Sequence, residues 1–428
     1  MSVGLHVTTL GCKLNQFDSA ELAGALRGAA SLVDDPAAAR VIVVNTCTVT
    51  APADADARQI LRRRRRESPH ALIVATGCYA ERDPAALAAI PEVDLVLRRE
   101  DRPRAARLIL DMLRQRDPAS LADGCAEREA EECLPDFGDR SRAFLRVQEG
   151  CDLVCSYCII PSVRGASRSV EPGRVEERFR RILQAGYREV VLTGVNTGDY
   201  GRDLSPRLTL LHLLERLLRV EGDYRIRLNS VEPRRVTPGL IQLIAAEPRL
   251  ARHLQVPLQS GSDAVLRDMR RNYHAKDYLE TAARLRGMVP DIGLGADVIV
   301  GFPTEGEAEF EQTRSVLISA GVTYLHVFTW SPRAGTPAAS LKPRSTGAQV
   351  HRRGEELRAL GRELSAGFVR GQAGRTMRAL VLSGRRNDGR QRALTSNFIE
   401  VALDGDAPPH QWKDVTLRGM VDGVPGAA

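Results

Sequence analysis

Residues 143–158 read Ala-Phe-Leu-Arg-Val-Gln-Glu-Gly-Cys-Asp-Leu-Val-Cys-Ser-Tyr-Cys. The first five residues form a strand-like apolar run. Cys151, Cys155 and Cys158 follow it in a Cys-x3-Cys-x2-Cys spacing, with the aromatic Tyr157 before the last cysteine. Two metal chemistries compete for such a set. Structural zinc takes four ligands, usually as two separated pairs. No fourth ligand is near, since the flanking histidines are His70 and His212. An iron–sulfur cluster matches better, because thiolates at this spacing hold several irons of one compact cluster. Three ligands for four irons leave one iron open, and an open metal position is where a substrate or cofactor binds.

Downstream, strand patterns recur at 189–193, 224–228, 253–256, 295–300 and 324–328, separated by helical patterns such as 209–220 and 262–271. Six β/α units imply a full or partial (β/α) barrel, whose chemistry sits at the C-terminal ends of its strands. Upstream, residues 1–100 alternate in the same way. Strand runs at 5–10, 41–44 and 72–75 end at Gly11-Cys12, Asn45-Thr-Cys47 and Thr76-Gly-Cys78, and 93–97 reads as a fourth strand. Helical patterns at 17–29 and 55–66 separate the first three. This order implies a parallel sheet with crossover helices. Ligands of an open parallel sheet collect beyond the strand C-termini. Cys12, Cys47 and Cys78, 35 and 31 residues apart, are therefore expected to converge on one site.

The remaining segments differ in kind. Cys125 and Cys133 lie in an acidic stretch with Glu127, Glu129, Glu131 and Glu132, match no strand end, and read as ordinary linker residues. Residues 371–428 alternate apolar and polar side chains between turn signals, as in a small antiparallel β-barrel. That segment holds eight basic and six acidic residues, so its charge alone gives little support for RNA binding. The expected architecture is α/β. It comprises an N-terminal parallel-sheet domain (1–115), a linker (116–140), a central partial (β/α) barrel (141–370) and a terminal β-barrel (371–428).

Composition sets the outer bounds. The chain has 428 residues, 43% hydrophobic and 27% charged, which is ordinary globular usage and excludes a mostly disordered chain. No stretch approaches the roughly 18 apolar residues of a membrane helix, and the N-terminus lacks a signal-peptide pattern. A cytoplasmic protein with no membrane association is expected. In that compartment thiols stay reduced, so clustered cysteines point to metal or redox chemistry. The net charge is +7, and 57 of the 61 basic residues are arginine. This permits a nucleic-acid partner without establishing one. Arg62 to Arg66 form a run of five on a predicted helix. Five successive positions point all round a helix and cannot face one ligand together, so a solvated face and a phosphate-contacting stripe stay equally open.

The cysteine motif with Tyr157 resembles that of the radical S-adenosylmethionine enzymes. The chain as a whole is similar to their methylthiotransferase family. The matching words are Thr9-Leu-Gly-Cys-Lys-Leu-Asn-Gln16, Asn45-Thr-Cys-Thr-Val49, Gly77-Cys-Tyr-Ala80, Leu192-Thr-Gly-Val-Asn196, Ser230-Val-Glu-Pro233, Val256-Pro-Leu-Gln-Ser-Gly-Ser262 and Asp297-Val-Ile-Val-Gly-Phe-Pro-Thr-Glu305. The terminal segment is similar to the family's TRAM domain. The resemblance implies two [4Fe–4S] clusters, one on Cys12, Cys47 and Cys78, the other on Cys151, Cys155 and Cys158. S-adenosylmethionine would bind the open iron of the second. It implies that one S-adenosylmethionine methylates a sulfur at the first cluster. A second is cleaved to a 5′-deoxyadenosyl radical that removes hydrogen from adenosine C2, where the methylthio group enters.

Contacts to S-adenosylmethionine are expected from Tyr157, Thr193, Gly194, Val195, Ser230 and Glu232. The plainer reading of these strand ends, a tight strand–helix turn, stays open. No catalytic side chain is assigned outside the two clusters. The segment Leu10-Gly-Cys-Lys-Leu-Asn-Gln-Phe-Asp-Ser19 most resembles the branch acting on N6-threonylcarbamoyladenosine at tRNA position 37. Isopentenyladenosine-37 tRNA and an aspartate of ribosomal protein S12 are the alternative substrates. A non-catalytic iron–sulfur RNA-binding protein is the alternative of another class. Implied partners are the tRNA anticodon loop and a reductant such as a flavodoxin or ferredoxin, for a monomeric enzyme. The chain departs from the family pattern at Glu81, where Gln is usual, and at Leu97-Arg-Arg-Glu100, which replaces a Gly-Asn type of turn.

Overall fold

The computed structural model describes residues 2–117, 133–421 and 423–427. The chain forms two compact units, residues 1–138 with 158–165, and residues 139–157 with 166–428.

The first unit is a five-stranded sheet. Its elements are β1 (Val3–Thr9), α1 (Lys13–Leu26), β2 (Ala30–Leu32), β3 (Val41–Thr46), α2 (Ala51–Glu67), β4 (Leu72–Gly77), α3 (Cys78–Arg82), α4 (Pro84–Ala88), β5 (Leu95–Val96) and α5 (Ala105–Arg116). All pairings are parallel, in the order β2-β1-β3-β4-β5. The continuous Val-Ile-Val-Val run of β3 is explained by burial of both sheet faces. Val41 and Val43 pack with α1 and α5, whereas Ile42 and Val44 pack with α2, α3 and α4.

Three expectations shift here. The first helix begins at Lys13, directly after Cys12, and ends at Leu26 rather than Ala29. The edge strand β2 has three residues, two of them exposed, and so lacks an apolar signature. Cys133 is buried among Leu26, Ile109 and the other α1–α5 core residues, so it is a core thiol of this unit, not a linker residue. The next residues stay with the sheet, since the Asp136 N–H donates to the Ala20 carbonyl at 2.8 Å. Cys125 and the four glutamates lie outside the described residues.

In the second unit, β6 (Ala143–Arg146) is followed by a two-stranded ribbon of β7 (Gln148–Glu149) and β8 (Arg168–Ser169). Between the two ribbon strands the chain lends α6 (Ile160–Arg164) to the first unit. Then come α7 (Pro172–Gln184), β9 (Glu189–Thr193), α8 (Leu210–Leu218), β10 (Arg225–Leu228), α9 (Pro238–Ala246) and β11 (His253–Gln255). They continue with α10 (Asp263–Asp268), α11 (Ala275–Met288), β12 (Gly293–Val300), α12 (Glu307–Ala320) and β13 (Tyr324–Thr329). The strands form two parallel sheets, β6-β9-β10 and β11-β12-β13. Parallel bridges Ile226–Leu250 and Ser230–Gln255 join them in chain order, giving an open six-stranded arc, a partial barrel.

The long helix α13 (Gly347–Gly371) leads to β14 (Thr376–Arg385), β15 (Gln391–Thr395), β16 (Glu400–Leu403), β17 (Trp412–Val421) and β18 (Val424–Ala427). These close into a small barrel, antiparallel except for the pair β16–β18. The two barrels meet at a buried charge cluster. Glu189 accepts from Arg225 Nε at 2.6 Å and from Arg227 Nε at 2.8 Å. Those arginines also donate to the carbonyls of Leu394, Thr395 and Ser396 of the terminal barrel. Among the described residues no helix is long and apolar enough to cross a membrane.

Candidate functional site

Strand register brings the first three cysteines together. Thr9 stands opposite Asn45, and Asn45 opposite Thr76, so β1, β3 and β4 end at one level. Cys12 precedes the first residue of α1, Cys47 follows β3, and Cys78 opens α3. Asn15 ties the three ends. Its Nδ2 donates to the Leu10 carbonyl at 2.7 Å and the Thr46 carbonyl at 3.0 Å, while its Oδ1 lies 3.8 Å from Cys78 Sγ. Gly11 adopts φ +88°, and a Cβ there would stand 2.9 Å from Cys47 Cβ and 3.0 Å from its sulfur. Exposure grades from Cys12, exposed, through Cys47 to the buried Cys78.

Burial pushes the Cys47 thiol up to about 11, with a further push from Cys78 and Cys12. Burial also raises Cys78, against the opposing pull of the Arg164 guanidinium. Arg164, on α6, is buried. It donates to Asn15 Oδ1 and pairs with Asp18 at 3.0 Å. Ile159, Ile160 and Val163 pack against Cys78. The segment that begins at Cys158 thus forms one wall of the first cysteine site.

The second cysteine set lies on the loop after β7. Cys151 Sγ accepts from the Leu153 N–H at 3.4 Å, and its thiol is pushed up to about 11, first by burial and then by Cys155 and Glu232. Cys155 Sγ accepts from Arg271 Nη1 at 3.2 Å. Arg271 also pairs with Glu232 and lies over the Tyr273 ring at 5.0 Å. Ser156 anchors the loop through bonds to the Met269 and Asp268 carbonyls. Tyr157 meets Phe302 edge-on and packs against the cluster of Val265, Met269, Ile299 and Phe302, on which Trp330 also packs.

The other expected cofactor contacts divide. Thr193 ends β9 with its hydroxyl buried and without a hydrogen-bond partner among the described residues. Gly194 is explained by packing, since a Cβ there would meet the Gln148 carbonyl and side-chain oxygens at 2.9 Å. Val195 is half-buried. The Ser230 carbonyl accepts from Thr197 Oγ1, and Ser230 bridges to Gln255. Glu232 is raised by burial despite Arg271, with the carboxylates of Asp199 and Asp297 adding to the rise.

Comparison with known proteins places this arrangement. Residues 4–98 match the uncharacterized protein family UPF0004, and residues 145–317 match the radical SAM superfamily. The threonylcarbamoyladenosine tRNA methylthiotransferase MtaB of Bacillus subtilis (strain 168) is 37% identical over 371 residues, 86% of this chain and 82% of that protein. Its namesake in Aquifex aeolicus is 35% identical over 401 residues, 93% of this chain and 96% of that protein.

The chain belongs to the radical S-adenosylmethionine methylthiotransferase family.

A second branch of that family also matches. A tRNA-2-methylthio-N(6)-dimethylallyladenosine synthase of Clostridium botulinum is 30% identical over 412 residues, 94% of this chain and 91% of that protein. Among solved structures, the radical S-adenosylmethionine methyltransferase TsrM of Kitasatospora setae aligns with a TM-score of 0.56 at 15% identity, covering 79% of this chain and 75% of that one, a likeness of fold. This methylthiotransferase is therefore an enzyme that transfers a sulfur-containing group, and its family works with S-adenosylmethionine and an iron–sulfur cluster.

The donor chemistry fits such a cluster. Among the described residues no three His, Cys, Asp or Glu side chains stand close enough to hold a single metal ion. A cluster asks for something different, one thiolate per iron, spread around a shared space. Cys12, Cys47 and Cys78 interact electrostatically with one another, as do Cys151 and Cys155. Burial raises the Cys47, Cys78 and Cys151 thiols, so iron binding would displace protons from these three.

Asn15, Arg164 and Arg271 carry these sites and were not singled out from the sequence. Asn15 stands in a quoted word without a distinct role, and two arginines do not stand out among 57. The two departures from the family pattern meet in space. Glu81 Oε2 accepts from the Arg99 N–H at 3.0 Å, its Oε1 accepts from Arg98 Nη2 at 3.2 Å, and the Arg99 guanidinium donates to the Arg164 carbonyl. The altered turn thus supports the helix that carries Arg164.

Proposed function

We propose that this enzyme methylthiolates C2 of N6-threonylcarbamoyladenosine at position 37 of tRNA, in the anticodon loop, using two [4Fe–4S] clusters. Cys12, Cys47 and Cys78 would hold one, and Cys151, Cys155 and Cys158 the other. The observation behind this reading is the pair of three-cysteine sets, each at the C-terminal side of a parallel sheet, in a chain similar over most of its length to four MtaB proteins. Those four are 33–37% identical, against 30% for the dimethylallyladenosine synthases, which favours the threonylcarbamoyl substrate.

With S-adenosylmethionine bound, the second cluster supplies a carbon radical able to take hydrogen from adenine C2–H, which side-chain acid–base catalysis does not reach. The chain's own residues prepare that site. Arg271 fixes Cys155 and neutralises Glu232. Tyr157 closes an apolar wall with Phe302 and Trp330, which keeps water from a reactive intermediate. Thr193 and Glu232 offer polar groups to the methionine or ribose part of the cofactor. At the first site, Asn15 holds the three strand ends and Arg164 offsets the negative charge of thiolates. A loop base costs little to unstack, so adenosine 37 would flip into the partial-barrel mouth. Residues 1–115 would serve sulfur transfer, 141–370 radical generation and 371–428 RNA docking. A flavodoxin or ferredoxin would supply electrons to a monomer in the cytoplasm.

The test is mass spectrometry of nucleosides digested from the tRNA of cells lacking the gene. Loss of 2-methylthio-N6-threonylcarbamoyladenosine, with its precursor accumulating, is expected. Loss of the isopentenyl form instead would move the substrate. An unchanged tRNA would remove the tRNA reading and direct attention to ribosomal protein S12.

A further inference from the structure

The structure splits the arginine run of α2 into two groups. Arg63 pairs with Glu67 at 2.7 Å, and Arg64 pairs with the same carboxylate at 2.5 Å. Arg65 donates to the carbonyls of Pro69 and Ala71 and pairs with Asp94 at 2.6 Å. These three are committed to the fold. Arg62 and Arg66 are exposed and make no hydrogen bond or ion pair among the described residues. With Arg58 they recur at every fourth position and so lie along one helix face, about 6 Å apart in helical rise. Together with Ala55 and Gln59 they line one open cavity of about 220 Å³.

The stripe starts beside the first cysteine site. Arg58 donates from Nη1 to Tyr79 Oη at 2.9 Å and lies over the Tyr79 ring, and Tyr79 follows Cys78 in α3. The lining contains no carboxylate, and Ala55 is its one apolar side chain. That composition does not suit an apolar ligand. Three guanidiniums in a row suit a repeating anion better than a single one. Guanidinium forks bind phosphate oxygens in pairs, which lysine cannot do.

We propose that Arg58, Arg62 and Arg66 form a phosphate-contacting stripe that holds the backbone of the RNA substrate along α2. This rests on the tRNA reading above and adds the surface that reading lacked.

The experiment is binding of a fluorescently labelled tRNA, bearing N6-threonylcarbamoyladenosine at position 37, to the reconstituted holoenzyme across a salt series. Each phosphate contact contributes about 0.7–0.9 to the slope of log affinity against log salt. Arg62→Ala with Arg66→Ala should flatten the slope by about 1.4–1.8. Arg62→Lys with Arg66→Lys should keep most of the slope. Arg63→Ala removes one charge from the same helix and should leave the slope unchanged. An unchanged slope in the double alanine variant, or an equal loss in Arg63→Ala, overturns the stripe. If the wild-type enzyme itself does not bind the tRNA, the tRNA reading falls and the stripe with it. Both exposed positions lack partners to lose among the described residues, and a circular-dichroism melt checks that the variants remain folded.

Discussion

Arg271 Nη1 donates to Cys155 Sγ at 3.2 Å while the same guanidinium pairs with Glu232. A cation hydrogen-bonded to a thiolate favours the more negative, reduced form of whatever that thiolate binds, and hydrogen bonds to sulfur are among the levers that set cluster potentials. Arg271→Ala should therefore lower the midpoint potential of the radical cluster. A charge-assisted hydrogen bond contributes about 1.5–3 kcal/mol, which for a one-electron couple sets an upper bound of about 65–130 mV on the shift in a redox titration followed by electron paramagnetic resonance. Arg271→Lys should recover part of it. An unchanged potential in Arg271→Ala would leave Arg271 a purely structural partner of Glu232.

Arg164 plays the corresponding part at the first site, where it meets Asn15, Asp18 and the Cys78 thiol. Arg164→Ala removes a buried cation that pairs with Asp18 at 3.0 Å, and Arg102 also pairs with that carboxylate, at 3.3 Å. On the proposed two-cluster reading, iron per chain should fall by about half. Cleavage of S-adenosylmethionine to 5′-deoxyadenosine should persist while methylthiolated product disappears. Loss of both activities together would mean that Arg164 supports the second cluster too.

Gly11→Ala tests the same site through the backbone. Its φ of +88° is a conformation alanine adopts with strain, and the new methyl would press on Cys47 at 2.9 Å. Strain of this kind costs about 1–3 kcal/mol. The expected outcome is again a halved iron content, with a thermal melt lowered by a few degrees. A variant with full iron would show that Cys47 moves freely and that convergence at this site does not depend on Gly11.

The convergence of Cys12, Cys47 and Cys78 was legible because it follows from local patterns. A β-branched run followed by a turn and a cysteine, repeated three times, specifies parallel strands and a shared edge. The spacing of Cys151, Cys155 and Cys158 is the local pattern behind the proposed cluster loop. What escaped was carried by groups with no local signature. The edge strand Ala30–Leu32 is too short to show a period. Arg164 follows Cys158 by six residues, yet it packs with the N-terminal sheet, a long-range fact that no periodicity encodes. The run from Arg62 to Arg66 was ambiguous for the same reason. Partners outside the run, Glu67 and Asp94 among them, separate its committed members from Arg62 and Arg66.

Glu189 gives a prediction about stability and pH. Its side chain is fully buried, and it is held by Arg225 and Arg227, with Arg142 at 3.5 Å. Burial alone would raise its carboxyl, but the three arginines outweigh burial and hold it well below the usual carboxylate range. Burial lowers Arg225 to about 10 even with Glu189 beside it, so the pair depends on both partners being charged. Removing one partner of a buried ion pair costs about 3–5 kcal/mol, because the others are left uncompensated. Glu189→Gln should therefore lose about that much in denaturant unfolding at neutral pH. The sign of the pH effect follows from the depressed value. A carboxyl lowered in the folded state contributes fully above its ordinary value of 4.5, and that contribution is lost as pH falls toward the folded-state value. Wild type should lose stability below about pH 4.5 faster than Glu189→Gln, so the gap between them narrows with acid. Parallel loss in both proteins would show that acid unfolding begins elsewhere and that the junction of the two barrels does not depend on this carboxylate.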